Sequence, residues 1–183
     1  PHVVQAWEVL EGYRELGDNI VVIGGGAVGC ETALFLAHVG TIDADTLRFL
    51  TVHKVEDPEI LYQLSIQGIK HVTLIEQQPR VAQDIGRSNR WVVYHDLRRY
   101  GVDLKTSTRV AAIEEDAVVV ETDNTVQRIK ADTVVLAAGS KSNNDLVNQL
   151  QGIAPEIYVI GDARKPRKAM EAIHEGFHTG NTI

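Results

Sequence analysis

Residues 24–29 read Gly-Gly-Gly-Ala-Val-Gly, a match to GxGxxG. In such a string Gly24 makes the tight turn off a strand. Gly26 lets a diphosphate approach the backbone because no Cβ blocks it, and Gly29 lets the following helix pack close to the strand. The string carries this chemistry only between a strand and a helix. Residues 19–23 (NIVVI) are a β-branched apolar run of the kind buried on both faces of a parallel sheet. In 27–39, Ala27, Cys30, Ala33, Leu34 and Ala37 recur at helical spacing, and Gly40 stands where a C-terminal cap belongs. The amino end of that helix offers unpaired N–H groups and a partial positive charge, which suit an anion.

A dinucleotide needs a further acceptor for the adenosine ribose at the end of the second strand. Asp43 and Asp45 lie nearest the usual spacing, but neither follows a strand, whereas Glu76 terminates HVTLIE and is chosen here. A carboxylate there accepts from two hydroxyls and repels a 2′-phosphate, which favours NADH over NADPH. Arg80 weakens that preference, since it could reach a 2′-phosphate or the diphosphate. Gly161-Asp162 ends another apolar run, 156–160 (EIYVI), and a carboxylate beside a glycine suits a hydroxyl-rich ligand.

Other reactive side chains offer less. The one cysteine, Cys30, sits on the apolar helix face and reads as core. It excludes an internal disulfide, a CxxC redox pair and a cysteine-rich zinc site, and points to a reducing cytoplasm. The seven histidines show no metal-binding spacing; His174 and His178 share a helix face, but two ligands do not make a site. No metal and no catalytic residue are assigned. With 18 basic and 25 acidic side chains the net charge is −7, which argues against a phosphate-tracking nucleic-acid surface. No apolar run approaches the ~18 residues that span a bilayer, and no export signal is evident. The chain starts at Pro1 rather than Met, as if processed or cut from something longer.

The elements that must position these residues follow an α/β order. Residues 1–16 read as a lead-in segment, with Trp7, Val9 and Leu10 as packing contacts. The first strand and helix come next, then a helical insertion over 41–70 with helix starts at 45–47 and 57–59. Residues 71–76 form the second core strand and 88–100 a helix capped by Ser88, with Val93, Leu97 and Tyr100 on one face. Four short strands, 102–105, 110–114, 117–121 and 126–130, read as a β-meander with turns at Asp116 and Asp123-Asn124. Residues 133–137 and 156–160 are further buried strands, and a helix over about 168–181 closes the chain. The expected fold is a Rossmann-like three-layer parallel sheet with a β-meander and a short helical insertion.

Taken together, VVIGGGAVGCETALFLA, VTLIEQQPRVAQDIG, TVVLAAGSKSNN and YVIGDARKPRKAMEAIHEGF resemble the two-dinucleotide-fold flavoprotein reductases. More closely, they are similar to the carboxy-terminal part of the 2-enoate reductase and 2,4-dienoyl-CoA reductase group of the old-yellow-enzyme type. The resemblance runs from about Gly17 to the end. It implies that Gly24, Gly26, Ala27, Val28 and Gly29 cradle the NADH diphosphate and Glu76 holds the ribose. Ala138 and Gly139 pass the nicotinamide. Glu31 either lies near nicotinamide and flavin or is only the polar side of a helix turn. Asp162, beside Gly161, accepts from the FAD ribityl chain, and the helix start at Ala169 and Met170 offers N–H groups to the flavin ring, where negative charge gathers on reduction. The roles of Arg164, Arg167 and Lys168 stay open.

The resemblance also implies a division of labour: 17–139 as an NADH-binding domain and 140–183 as the last piece of an FAD-binding domain. The family's amino-terminal barrel with FMN and an iron–sulfur cluster, and the first half of its FAD domain, have no counterpart in this sequence. Hydride would pass from NADH to FAD, and an α,β-unsaturated acid or enoyl thioester would be reduced elsewhere. Two other readings stand beside it: a stand-alone NAD-dependent dehydrogenase, and a non-catalytic nucleotide-sensing module.

Overall fold

In the computed structural model, which describes residues 2–12 and 15–183, the β-branched runs lie side by side. In chain order the strands are β1 (His2–Gln5), β2 (Asn19–Ile23), β3 (His71–Ile75), β4 (Asp103–Lys105), β5 (Arg109–Ile113), β6 (Ala117–Thr122), β7 (Thr125–Lys130) and β8 (Thr133–Leu136). The helices are α1 (Ala6–Leu10), α2 (Ala27–Ala37), α3 (Ala44–His53), α4 (Pro58–Ile66), α5 (Arg87–Arg99), α6 (Asp145–Leu150) and α7 (Ala169–Gly180). The chain divides into two units, one up to Ala138 and one from Gly139 to Ile183.

The first unit has three layers. A parallel sheet in the order β1-β8-β2-β3-β4 forms the middle. Ile20, Val22, Leu74 and Val135 point to one side, where they pack with Cys30, Ala33 and Leu36 of α2 and Leu97 of α5. Val21, Ile75 and Val134 point to the other, against Val118 and Val120 of the antiparallel sheet β5-β6-β7. Successive side chains of a strand face opposite ways, so a strand buried on both faces must be apolar throughout. This is the Rossmann-like α/β fold expected, with α3 and α4 as the inserted helices.

Several local expectations are corrected. Residues 2–5 form β1 and pair with β8, and of the anticipated contacts only Val9 is buried, while Trp7 and Leu10 stay exposed. Residues 103–105 do not join the meander: after the α5 crossover they pair in parallel with Thr73, Leu74 and Ile75. An edge strand of a βαβ unit alternates like a meander strand, so local pattern could not separate the two. Helix α5 starts at Arg87 with Gly86 as its cap residue, so Ser88 is inside the helix rather than capping it. Asp43 caps α3 through Thr46, ahead of the expected start, whereas Asp57 caps α4. On α2, Leu36 and Thr32 are fully buried and Leu34 only partly, because α1 and α5 flank the helix as well as the sheet.

The second unit holds less order. Residues 156–160 are not a strand, and Tyr158 and Ile160 are exposed. Among the described residues no neighbouring strand pairs with them. Helices α6 and α7 bury no side chain, and a single 3-10 turn covers Gly161–Ala163. No described helix is long and apolar enough to cross a membrane. Pro1 lies outside the described residues.

Candidate functional site

The glycines at 24–29 join β2 to α2, and at Gly24, Gly25 and Gly29 there is no room for a side chain. Gly24 has φ +109°, a conformation L side chains rarely adopt, and a Cβ there would stand 2.5 Å from the Ala137 carbonyl oxygen. A Cβ on Gly29 would overlap the Gly24 carbonyl oxygen at 1.8 Å. Gly24 N–H donates to Ile75 O at 2.9 Å, tying the turn to the end of β3. The helix therefore begins directly against the strand ends, where its first N–H groups face out of the carboxyl edge of the sheet.

Two carboxylates meet this turn. Glu76 reaches from the end of β3 to the turn after β2: Gly25 N–H donates to its Oε2 at 2.6 Å and Gln78 N–H to its Oε1 at 2.7 Å. Each oxygen keeps a further lone pair. Asp84 arrives from the segment between β3 and α5, and Ala27 N–H donates to both its oxygens, at 2.9 and 3.0 Å. A Cβ on Gly26 would come within 3.2 Å of the same carboxylate. The space that the sequence reserves for a diphosphate thus already faces an anion.

The segment carrying Asp84 is itself fastened. Ala82 N–H donates to Gly25 O at 2.6 Å, and Ala82, buried and not a glycine, has φ +58°. Arg90 of α5 donates to the carbonyls of Ala82, Gln83 and Ile85 at 2.9, 2.7 and 3.2 Å. Neither Asp84 nor Arg90 stood out in the sequence, since nothing in the spacing places them at the turn. Arg80 is exposed and lines an open recess of about 480 Å³ with Arg87, Arg90, Trp91 and Tyr94; Glu76 does not line it. A wider cleft of about 1210 Å³ beside α3 and α4 shares no lining residue with the glycine turn.

Val28 and Glu31 are exposed on α2, and Ala138 and Gly139 follow β8 exposed, Gly139 with φ +96°. In the second unit Gly161 is buried, and its N–H donates to Glu175 of α7 at 2.7 Å. Asp162 is exposed and accepts from Arg167 N–H at 3.3 Å. Glu175 also pairs with Arg164 and Arg167, and the Arg167 hydrogen bond, followed by that from Gly161, holds its carboxyl below the usual carboxylate range. Sequence reading passed over Glu175, which organises the Gly161-Asp162 turn. Ala169 and Met170 open α7, both exposed.

Cys30 is fully buried behind the turn with its Sγ 3.4 Å from Gly25 O, and burial pushes its pKa up to about 12. It is a core thiol, not a nucleophile. No cluster of metal-ligating side chains occurs among the described residues.

Pyridine nucleotide-disulphide oxidoreductases as a family match residues 3–176. The chain belongs to this family. Its members bind nicotinamide and flavin cofactors. A metal reductase of Desulforamulus reducens is 47% identical over 176 residues, which cover 96% of this chain and 26% of that protein. A cinnamate reductase of Clostridium sporogenes is 27% identical, over 99% of this chain and 23% of its own length. Among solved structures, a 2-naphthoyl-CoA reductase complex superposes with a TM-score of 0.74 at 27% identity, over 99% of this chain and 23% of that one. The chain therefore spans about a quarter of the length of these relatives. Despite the family's name, a lone cysteine leaves this oxidoreductase chain no internal redox disulfide.

Proposed function

We propose that the unit up to Ala138 binds NADH and presents it for hydride transfer to an FAD that the unit from Gly139 helps to hold, within a larger cytoplasmic reductase. One observation carries the reading: Ala27 N–H, at the mouth of a turn in which Gly24 and Gly29 leave no space for side chains, already binds a carboxylate. A diphosphate uses the same kind of donor. Gly24, Gly26, Ala27, Val28 and Gly29 form the cradle. Glu76 accepts the adenosine ribose hydroxyls with its remaining lone pairs, which makes NADPH the poorer ligand, and Arg80 borders the adenosine side. Ala138, Gly139 and Glu31 belong to the nicotinamide end.

For FAD the residues present fit only in part. Gly161 and Asp162 offer a turn with a carboxylate for ribityl hydroxyls, and Ala169 and Met170 open a helix whose N–H groups suit a reduced flavin ring. A second glycine turn for the adenosine end is absent from this sequence. The nicotinamide supplies a hydride; the residues named here bind, orient and neutralise charge. FMN and an iron–sulfur cluster belong to domains outside this chain.

Two end points for the electrons have support among the relatives. The cinnamate reductase supports an α,β-unsaturated acid and the 2-naphthoyl-CoA reductase a thioester, while the higher identity to a metal reductase favours a metal ion as the final acceptor. Calorimetric titration of the chain with NADH, NADPH and FAD tests the binding reading. NADH binds, NADPH binds more weakly, FAD is not retained, and alcohols or hydroxy acids are not oxidised. Gly26→Val abolishes nucleotide binding with the fold retained. Binding that survives Gly26→Val removes the turn as the site, and turnover of an alcohol without flavin favours a stand-alone dehydrogenase.

A further inference from the structure

The hydrogen bond from Ala27 to Asp84 raises a question that the binding reading leaves open, because a diphosphate and this carboxylate require the same donor. We propose that Asp84 is an internal competitor for the nucleotide: its carboxylate occupies the amino end of α2 and must leave before a diphosphate binds there. The proposal rests on the dinucleotide reading of the turn and adds what regulates it.

Three features support a contact built to hold and to release. Asp84 presents both oxygens to one N–H, at 2.9 and 3.0 Å, as a compact anion at a helix amino end does. The carboxylate is nevertheless exposed, so its departure opens no cavity in the core. The backbone that carries it is fixed independently, by Ala82 N–H on Gly25 O and by the Arg90 guanidinium on three carbonyls. Ala82 keeps a left-handed φ of +58°, an uncommon conformation for a non-glycine residue. The side chain can thus swing out while its anchor stays in place to return it. A diphosphate entering beside a retained Asp84 would meet like charge within a few ångströms, so displacement, not sharing, is the balanced outcome.

The test measures affinity of the full chain for NADH, ADP and adenosine, before and after Asp84→Asn, which keeps the size and removes the charge. Asp84→Ser serves as a second variant should the first fold poorly, with circular dichroism as the check. The expected result is binding of NADH and ADP about tenfold tighter, the loss of one charge-assisted contact at a helix end together with its repulsion, with adenosine unchanged. If NADH and ADP bind the parent chain but the neutral variants gain nothing, the competitor role is overturned and the dinucleotide reading stands. If neither nucleotide binds parent or variant, both fall. An equal gain for adenosine also overturns the proposal, because that ligand carries no phosphate to compete.

Discussion

The runs at 19–23 (NIVVI) and 156–160 (EIYVI) have nearly the same composition, and each ends at glycine, yet one is a central strand and the other is no strand. β2 lies between β3 and β8 and buries Ile20, Val21 and Val22 completely. Residues 156–160 have no pairing partner among the described residues and leave Tyr158 47% exposed. An apolar β-branched run becomes a strand when backbone partners and a second apolar layer exist for it. The two units differ in the same sense throughout. The first encloses a core on both faces of its sheet, and the second is organised by polar contacts around Glu175.

That contrast can be broken at its strongest point first. Gly29→Val places side-chain carbon onto the Gly24 carbonyl, so the first unit loses its closed turn and cooperative unfolding disappears in thermal circular dichroism. Leu36→Ala removes a fully buried side chain of α2 and costs about 2–5 kcal/mol in denaturant unfolding. The matched change Ile173→Ala on α7, where the side chain is 65% exposed, shifts stability by less than about 0.5 kcal/mol. Equal costs at these two positions would mean that α7 is packed as firmly as α2.

Chemical probes sharpen the contrast further. Because burial holds the Cys30 thiol protonated, with a pKa of about 12, a thiol reagent at neutral pH leaves it unmodified until the protein unfolds. Rapid labelling of the folded chain would show that the region behind the turn opens. The smallest effect concerns acid. The Glu175 carboxyl is depressed below its unfolded value, so its bonds to Arg167, Gly161 and Arg164 contribute stability above the usual glutamate range. That contribution is lost as pH falls through the depressed folded value. Amide exchange at Gly161 speeds up there, while β2 amides stay protected.

The glycine turn was legible because its constraints are local. Gly24, Gly26 and Gly29 act within six residues, the flanking β-branched run and helical spacing fix strand and helix, and Glu76 ends a strand by sequence alone. The meander was legible only in part, since alternation in 103–105 does not reveal whether a strand returns by a hairpin or by a crossover helix. Composition alone predicts a strand at 156–160, but composition carries no information about neighbours, and none pairs with it among the described residues.

The sequence by itself therefore determined the order of strand, turn and helix, the α/β class, the single thiol and the acidic balance, all of which follow from short-range sterics, periodicity and counting. Only the tertiary structure decided what stands at the mouth of the turn. Asp84 lies 57 residues from Ala27 and Glu76 lies 51 from Gly25, separations that a crossover and an inserted pair of helices close in space. Contacts of that range depend on how sheet and helices pack: the strand-end position of Glu76 follows from the sequence, but no residue pattern near Ala27 or Asp84 encodes their contact.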